Sequence, residues 1–142
     1  MTEREIPRVT QLTQKTNQFN LTTRRYTEAE ILAIHDNEKH AVYALSVKDK
    51  YGDFGLTGIM IVENLEKIQI LSFLMSCRIL GKKIEFTFAG RAIGLAREKF
   101  GKNEVSSIYI PTKKNSQTAE FWPKCGFIPT KTEGSEVHFE LK

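Results

Sequence analysis

The stretch Lys67 to Met75, KIQILSFLM, constrains the fold most, because it is short and apolar on both faces. Ile68, Ile70 and Leu74 alternate with Leu71, Phe73 and Met75, so a strand here has no face to give to water. Such a strand must be covered front and back, which predicts a central position in a sheet flanked by helices on both faces. Two more extended runs precede it, AVYALSVK from Ala41 to Lys48 and GLTGIMIVE from Gly55 to Glu63. Turn signals at Tyr51-Gly52-Asp53 and Glu63-Asn64 separate the three runs, and connections this short predict antiparallel neighbours.

The flanking segments supply the helices. Ile6, Val9, Leu12 and Phe19 recur near helical spacing, with Pro7 suited to a first turn, which predicts an amphipathic helix over Pro7 to Gln18. Leu21 to Tyr26 is rich in threonine and reads as a short strand. Thr27 with Glu30 three residues on is a capping-box start for a helix reaching about Asp36. From Leu80 to Phe100 the period turns helical, with Ile84, Phe88, Ala89, Ala92, Ile93, Ala96 and Phe100 on one broad face and Gly101 as the stop. Val105 to Ile110 then reads as a strand parallel to its predecessor, Asn115 as the cap of a helix through Lys124, and Phe127 to Lys142 as a closing hairpin around Glu133-Gly134.

At 142 residues with 40% apolar content, the chain suits one domain spanning 1–142 with one core. The net charge of +4, with basic pairs at Arg24-Arg25, Lys82-Lys83 and Lys113-Lys114, invites an anionic partner. It is too diffuse for a nucleic-acid surface, and no groove-reading helix accompanies it. No run approaches the roughly 20 apolar residues that cross a bilayer, and the N-terminus has no signal-peptide pattern, so a cytoplasmic protein with no membrane partner is expected. Cys77 and Cys125 have neither zinc-site nor disulfide-scaffold spacing and read as free thiols. His35, His40 and His138 show no ligand spacing and read as solvent-exposed, so no metal site is expected.

Chemistry concentrates where the central strand gives way to the long helix. In Arg78-Ile79-Leu80-Gly81-Lys82-Lys83, free backbone amides, a glycine that admits close approach and the positive end of a helix make an anion site. The same residues also read as a basic turn. Cys77 precedes them, in surroundings that favour a thiolate, although an inert buried thiol fits the position as well. Asn17, Asn20, Thr22 and Arg24 are candidates for lining a substrate cleft, while capping and turn formation explain the Asn and Thr equally.

The order of elements resembles the GNAT acyltransferase fold, an α/β (α+β) architecture with a central mixed, mostly antiparallel sheet flanked by helices on both faces. Its coenzyme A pyrophosphate loop, Q/R-x-x-G-x-G/A, maps onto Arg78, Gly81 and Lys83, with a lysine where a small residue is usual. A second element, N-x-x-A-x-x-f-Y-x-x-x-G-F, resembles Asn115, Ala119, Phe121, Trp122, Gly126 and Phe127. Trp122 stands where the family often has a tyrosine that protonates the departing thiolate, and an indole N–H cannot do that near neutral pH. Trp122 is therefore expected to pack over the cofactor channel, and the resemblance implies Asn115 and Trp122 as cofactor-binding residues beside Arg78 to Lys83.

The run from Gln11 to Tyr26, QLTQKTNQFNLTTRRY, resembles the signature region of FkbH-like proteins, as do Val47 to Gly58 and Phe73 to Arg78. That resemblance implies the C-terminal, GNAT-like part of a longer protein whose other region is a HAD-type phosphatase. It also implies loading of a glyceryl unit onto an acyl carrier protein, a step towards methoxymalonyl extender units in polyketide biosynthesis. No D-x-D-x-T/V motif is present, so the HAD region would be a partner outside this sequence. The cofactor implied is coenzyme A or the 4'-phosphopantetheine of the carrier, with Cys77 as the residue that could hold the acyl group. Two alternatives stay open: a conventional acetyl-CoA-dependent N-acetyltransferase, and a GNAT-shaped docking module without chemistry.

Overall fold

The computed structural model describes residues 2–16, 19–49, 52–76 and 84–141, of which 47–49, 52–54 and 117 are described in backbone alone. A short 3-10 turn, Glu3–Glu5, leads into α1 (Ile6–Lys15), with Pro7 in its first turn, and α2 (Glu28–Asp36) follows an irregular connection. Then come β1 (His40–Asp49), β2 (Gly52–Asn64), β3 (Ile68–Met75), α3 (Ile84–Phe100) and β4 (Val105–Tyr109). A 3-10 turn at Ser116–Thr118, α4 (Phe121–Lys124), β5 (Ile128–Glu133) and β6 (Glu136–Leu141) complete the chain. The strands form one sheet in the order β1-β2-β3-β4-β6-β5, antiparallel except where β3 meets β4.

Local chemistry explains the boundaries. Thr27 accepts the Glu30 amide while the Glu30 carboxylate accepts the Thr27 amide, satisfying two donors that a helix start leaves free. Gly101 closes α3 at φ 62, a conformation glycine adopts without steric cost, and Lys102 N–H then bonds Arg97 C=O. Gly58 faces Met75 across the β2–β3 ladder, and a Cβ there would stand 2.6 Å from the Met75 sulfur and 3.2 Å from the Phe88 ring.

As the sequence predicts, β3 is covered on both faces. One cluster packs Val9, Leu12, Ile31, Ile59, Ile61 and Leu74 beneath α1 and α2, and the other packs Phe73, Met75, Phe88, Ala92 and Trp122 beneath α3 and α4. The assignment of faces within β3 needs correction. Ile61 stands opposite Ser72 but Val62 opposite Ile70, so Leu71 is an extra residue in the ladder. This bulge shifts the alternation by one, and Ile68, Ile70, Phe73 and Met75 all belong to the α3 cluster.

Two other expectations are also revised. Leu21 to Tyr26 forms no strand; the regular pairing nearby is a single bridge from Asn20 to Leu74. The helix expected over Asn115 to Lys124 divides into the 3-10 turn and α4, and Asn115 provides no side-chain cap because its amide is engaged elsewhere. Among the described residues no helix is long and apolar enough to cross a membrane.

Candidate functional site

The parallel partners β3 and β4 pair at Ile68 with Val105 and at Gln69 with Ser106, and β3 then runs on to Met75 without β4. Its other edge remains paired with β2 up to Met75, so the divergence opens a gap on the β4 side alone. Phe19, Asn20 and Leu21 lie in that gap. Leu21 N–H donates to Phe73 C=O at 3.1 Å, Met75 N–H donates to Phe19 C=O at 2.9 Å, and Ile110 N–H donates to Leu21 C=O at 2.8 Å. Three residues from the α1–α2 connection thus bridge the two diverging strands.

Side chains pin this segment. Asn115, fully buried, donates through Nδ2 to Asn20 C=O and Ile110 C=O at 2.9 Å each. Its Oδ1 accepts from Thr112 N–H at 2.7 Å and from the Tyr109 hydroxyl at 3.3 Å, which fills the amide's capacity. Asn20 in turn donates to Thr16 C=O and accepts from Thr23 N–H. The Thr22 hydroxyl donates to the carbonyl of the bulge residue Leu71 at 3.2 Å, and Ser72 Oγ lies 3.1 Å from the Tyr26 hydroxyl. Thr23 leaves the segment at φ 53, a left-handed conformation unusual for a threonine.

Of the residues singled out by sequence, the structure therefore gathers Asn20, Thr22, Asn115 and Trp122 around the gap. Arg24 is half-buried and has no hydrogen bond or ion pair among the described residues. Asn17, Cys77 and Arg78, Ile79, Leu80, Gly81, Lys82 and Lys83 lie outside the described residues. Trp122 is fully buried in an aromatic cluster, with ring centroids 5.5 Å from Phe73, 5.1 Å from Phe121 and 4.9 Å from Phe127. Phe19 joins the cluster edge-on, 6.0 Å from Phe73 and 5.1 Å from Phe121. Trp122 Nε1 and Ser107 Oγ on β4 are buried donors with no hydrogen-bond partner among the described residues.

Sequence reasoning missed three participants. Phe19 reads as the last apolar position of a helix, and only its contact with Phe121 shows otherwise. Ser72 is hidden in an apolar run, and its hydroxyl anchors Tyr26 and approaches Thr22. Glu85 is buried on the first turn of α3, its Oε2 without a hydrogen-bond partner among the described residues, although its position near a helix start was a usable signal. Burial, followed by the charge of Glu85, pushes the Cys125 thiol up to about 12, so Cys125 is no thiolate at neutral pH. The histidine expectation is also corrected. His35 is half-buried, and His40 lies 3.4 Å from Glu63 and His138 3.6 Å from Glu136, both also in half-buried positions rather than in open solvent.

No family model matches the sequence, and no curated protein matches it. Solved structures do. The PaiA N-acetyltransferase of Thermoplasma acidophilum, in complex with coenzyme A, superposes with a TM-score of 0.75 over 100% of this chain and 95% of its own, at 16% identity. The fold is that of the GNAT N-acetyltransferases. A Mycobacterium tuberculosis protein bound to CoA matches 99% of this chain and 95% of its own, with a TM-score of 0.73 and 12% identity. Ard1 from Thermoplasma volcanium matches 99% and 93%, with a TM-score of 0.71 and 19% identity. Within this GNAT fold, the divergence of β3 from β4 is the feature around which every described candidate except Arg24 converges.

Proposed function

We propose that the chain is an acyl-transfer domain that holds the pantetheine arm of coenzyme A, or of a phosphopantetheinylated acyl carrier protein, between β3 and β4. The observation carrying this reading is the separation of the two parallel strands, which leaves Phe73 C=O and Met75 N–H turned away from the sheet's own strands. A pantetheine arm carries two amides and can pair with such an edge as a peptide does. Two solved structures of the same fold contain coenzyme A, and Arg78 to Lys83 resemble the loop that takes its pyrophosphate.

The finer reading, transfer of a glyceryl-type unit to a carrier protein with a HAD-type phosphatase as partner, rests on the resemblance of Gln11 to Tyr26 to FkbH-like proteins. A thiol acceptor suits these residues, since Trp122 offers no proton to a departing thiolate and Cys125 stays neutral. In this reading the Cys77 thiolate attacks the acyl carbon, the donor's leaving group departs, and the carrier thiol then displaces Cys77 from the thioester. A docking module without chemistry is the second reading, favoured by the segment that already fills the gap.

Calorimetric titration with coenzyme A and with a phosphopantetheinyl carrier protein tests the binding. Heat with at least one of them is expected, and none with either, from the wild type and from Asn115→Ala alike, removes the proposal. Intact-mass measurement after exposure to acyl donor and carrier separates the two readings: an acyl adduct lost in Cys77→Ala supports transfer, whereas carrier binding without any adduct supports docking.

A further inference from the structure

Phe19 to Leu21 do to the β3 edge what an extended ligand would do. They present a C=O to Met75 N–H and an N–H to Phe73 C=O, running antiparallel to β3 at the Asn20–Leu74 bridge. We infer that this segment is a built-in strap that closes the thiol-arm gap, and that binding of the arm requires the strap to withdraw. The inference rests on the reading of the gap as an arm site, and adds that the site is self-occupied.

Four observations favour a strap that moves over a permanent strand. The segment makes an isolated bridge, with two backbone bonds to β3 and one from Ile110, where a sheet strand would continue its ladder. Its exit passes through Thr23 at φ 53, so closure holds a non-glycine residue in a conformation that release would relax. In the closed form Trp122 Nε1, in the cluster that receives Phe19, is buried without a hydrogen-bond partner among the described residues, as is Ser107 Oγ on β4. Finally, the polar latch is concentrated in the side chains of Asn115 and Thr22, so a local loss of few bonds frees the segment.

A ligand that binds the open form must shift the closed population, and its apparent affinity falls by the open fraction. Amide hydrogen exchange of the full chain, with and without saturating coenzyme A, reads this directly. With coenzyme A bound, the Leu21 and Ile110 amides should exchange at least about tenfold faster, because each loses its acceptor, while Met75 N–H stays protected by the arm. Asn115→Ala, which loosens the latch, should bind coenzyme A about tenfold more tightly than the wild type. Thr22→Val should shift affinity the same way by less, and serves if Asn115→Ala does not fold. Binding of coenzyme A with Leu21 and Ile110 still protected overturns the strap and leaves the arm reading intact, with the arm lying elsewhere. Binding by a loosened variant but not by the wild type supports the strap, and failure of both to bind either coenzyme A or the phosphopantetheinyl carrier protein removes the arm reading along with it.

Discussion

At the base of the β3–β4 seam, Ile68 and Gln69 meet Val105 and Ser106 strand to strand, whereas at its mouth a segment from the α1–α2 connection does the joining. At the base, backbone groups of two regular strands satisfy one another, and the bond from Ser106 Oγ–H to Gln69 Oε1 at 2.7 Å adds to a pairing that does not hang on particular side chains. The mouth depends on particular ones. Asn115 reaches from beyond β4 to the carbonyls of Asn20 and Ile110, Thr22 reaches to Leu71, and Phe19 enters an aromatic cluster. A joint of three backbone bonds pinned by side chains can be opened without dismantling the sheet, which is why binding and motion are proposed at the mouth.

The largest effect should come from Phe73→Ala, because this fully buried ring stacks 5.6 Å from Phe88 and 5.0 Å from Phe121 and lies under Phe19. A loss of about 3–5 kcal/mol in urea unfolding is expected from the cavity and the lost contacts. Asn115→Ala should come next, at about 3 kcal/mol, since it leaves the buried carbonyls of Asn20 and Ile110 unpaired. Ile68→Val at the base should cost about 1 kcal/mol. Amide exchange distinguishes the two substitutions: Asn115→Ala should expose Leu21 and Ile110 selectively, and Ile68→Val should not. Uniform loss of protection in Asn115→Ala would erase the distinction between base and mouth.

The smallest effect concerns the described thiol, Cys125, which lines a cavity with Phe86, Ala89, Gly90 and Lys124 on the α3 side of the sheet. With its pKa pushed from 9.0 up to about 12 by burial and Glu85, Cys125 should resist iodoacetamide at pH 8 in the folded chain. Its alkylation rate should climb about tenfold per pH unit towards 12, because the thiolate is the nucleophile. The sign for stability follows from the same shift. The unfolded chain ionises near 9.0 and the folded one near 12, so the contribution of the neutral thiol is present below pH 9 and is lost between the two values. Rapid labelling of Cys125 at pH 8 would show that this side of the α3–α4 cluster opens as readily as the mouth.

Much of the fold was legible because its signals are local. The capping box at Thr27 and Glu30, the Gly101 stop and the turn glycines each act within a few residues, where sequence shows both partners. The candidate site was legible in part. Asn20, Thr22, Asn115 and Trp122 were marked, but the role of Asn20 depends on Asn115, 95 residues away, and that of Thr22 on Leu71, 49 away. The bulge at Leu71 left no trace, because a run that is apolar in both phases reads the same with or without a shift of one.

What the chain's own order of residues determined is a two-sided apolar strand, hence a sheet covered by helices on both faces, with a parallel crossover through α3. Those outcomes follow from hydrophobic periodicity and from backbone groups that must pair nearby. Only the tertiary structure decided that β3 and β4 part after two residue pairs and that Phe19 to Leu21 fill the opening. The reason is physical: which donor meets which buried carbonyl across dozens of residues is set by three-dimensional packing, and an asparagine or threonine that serves as a latch has the same composition as one that turns a loop.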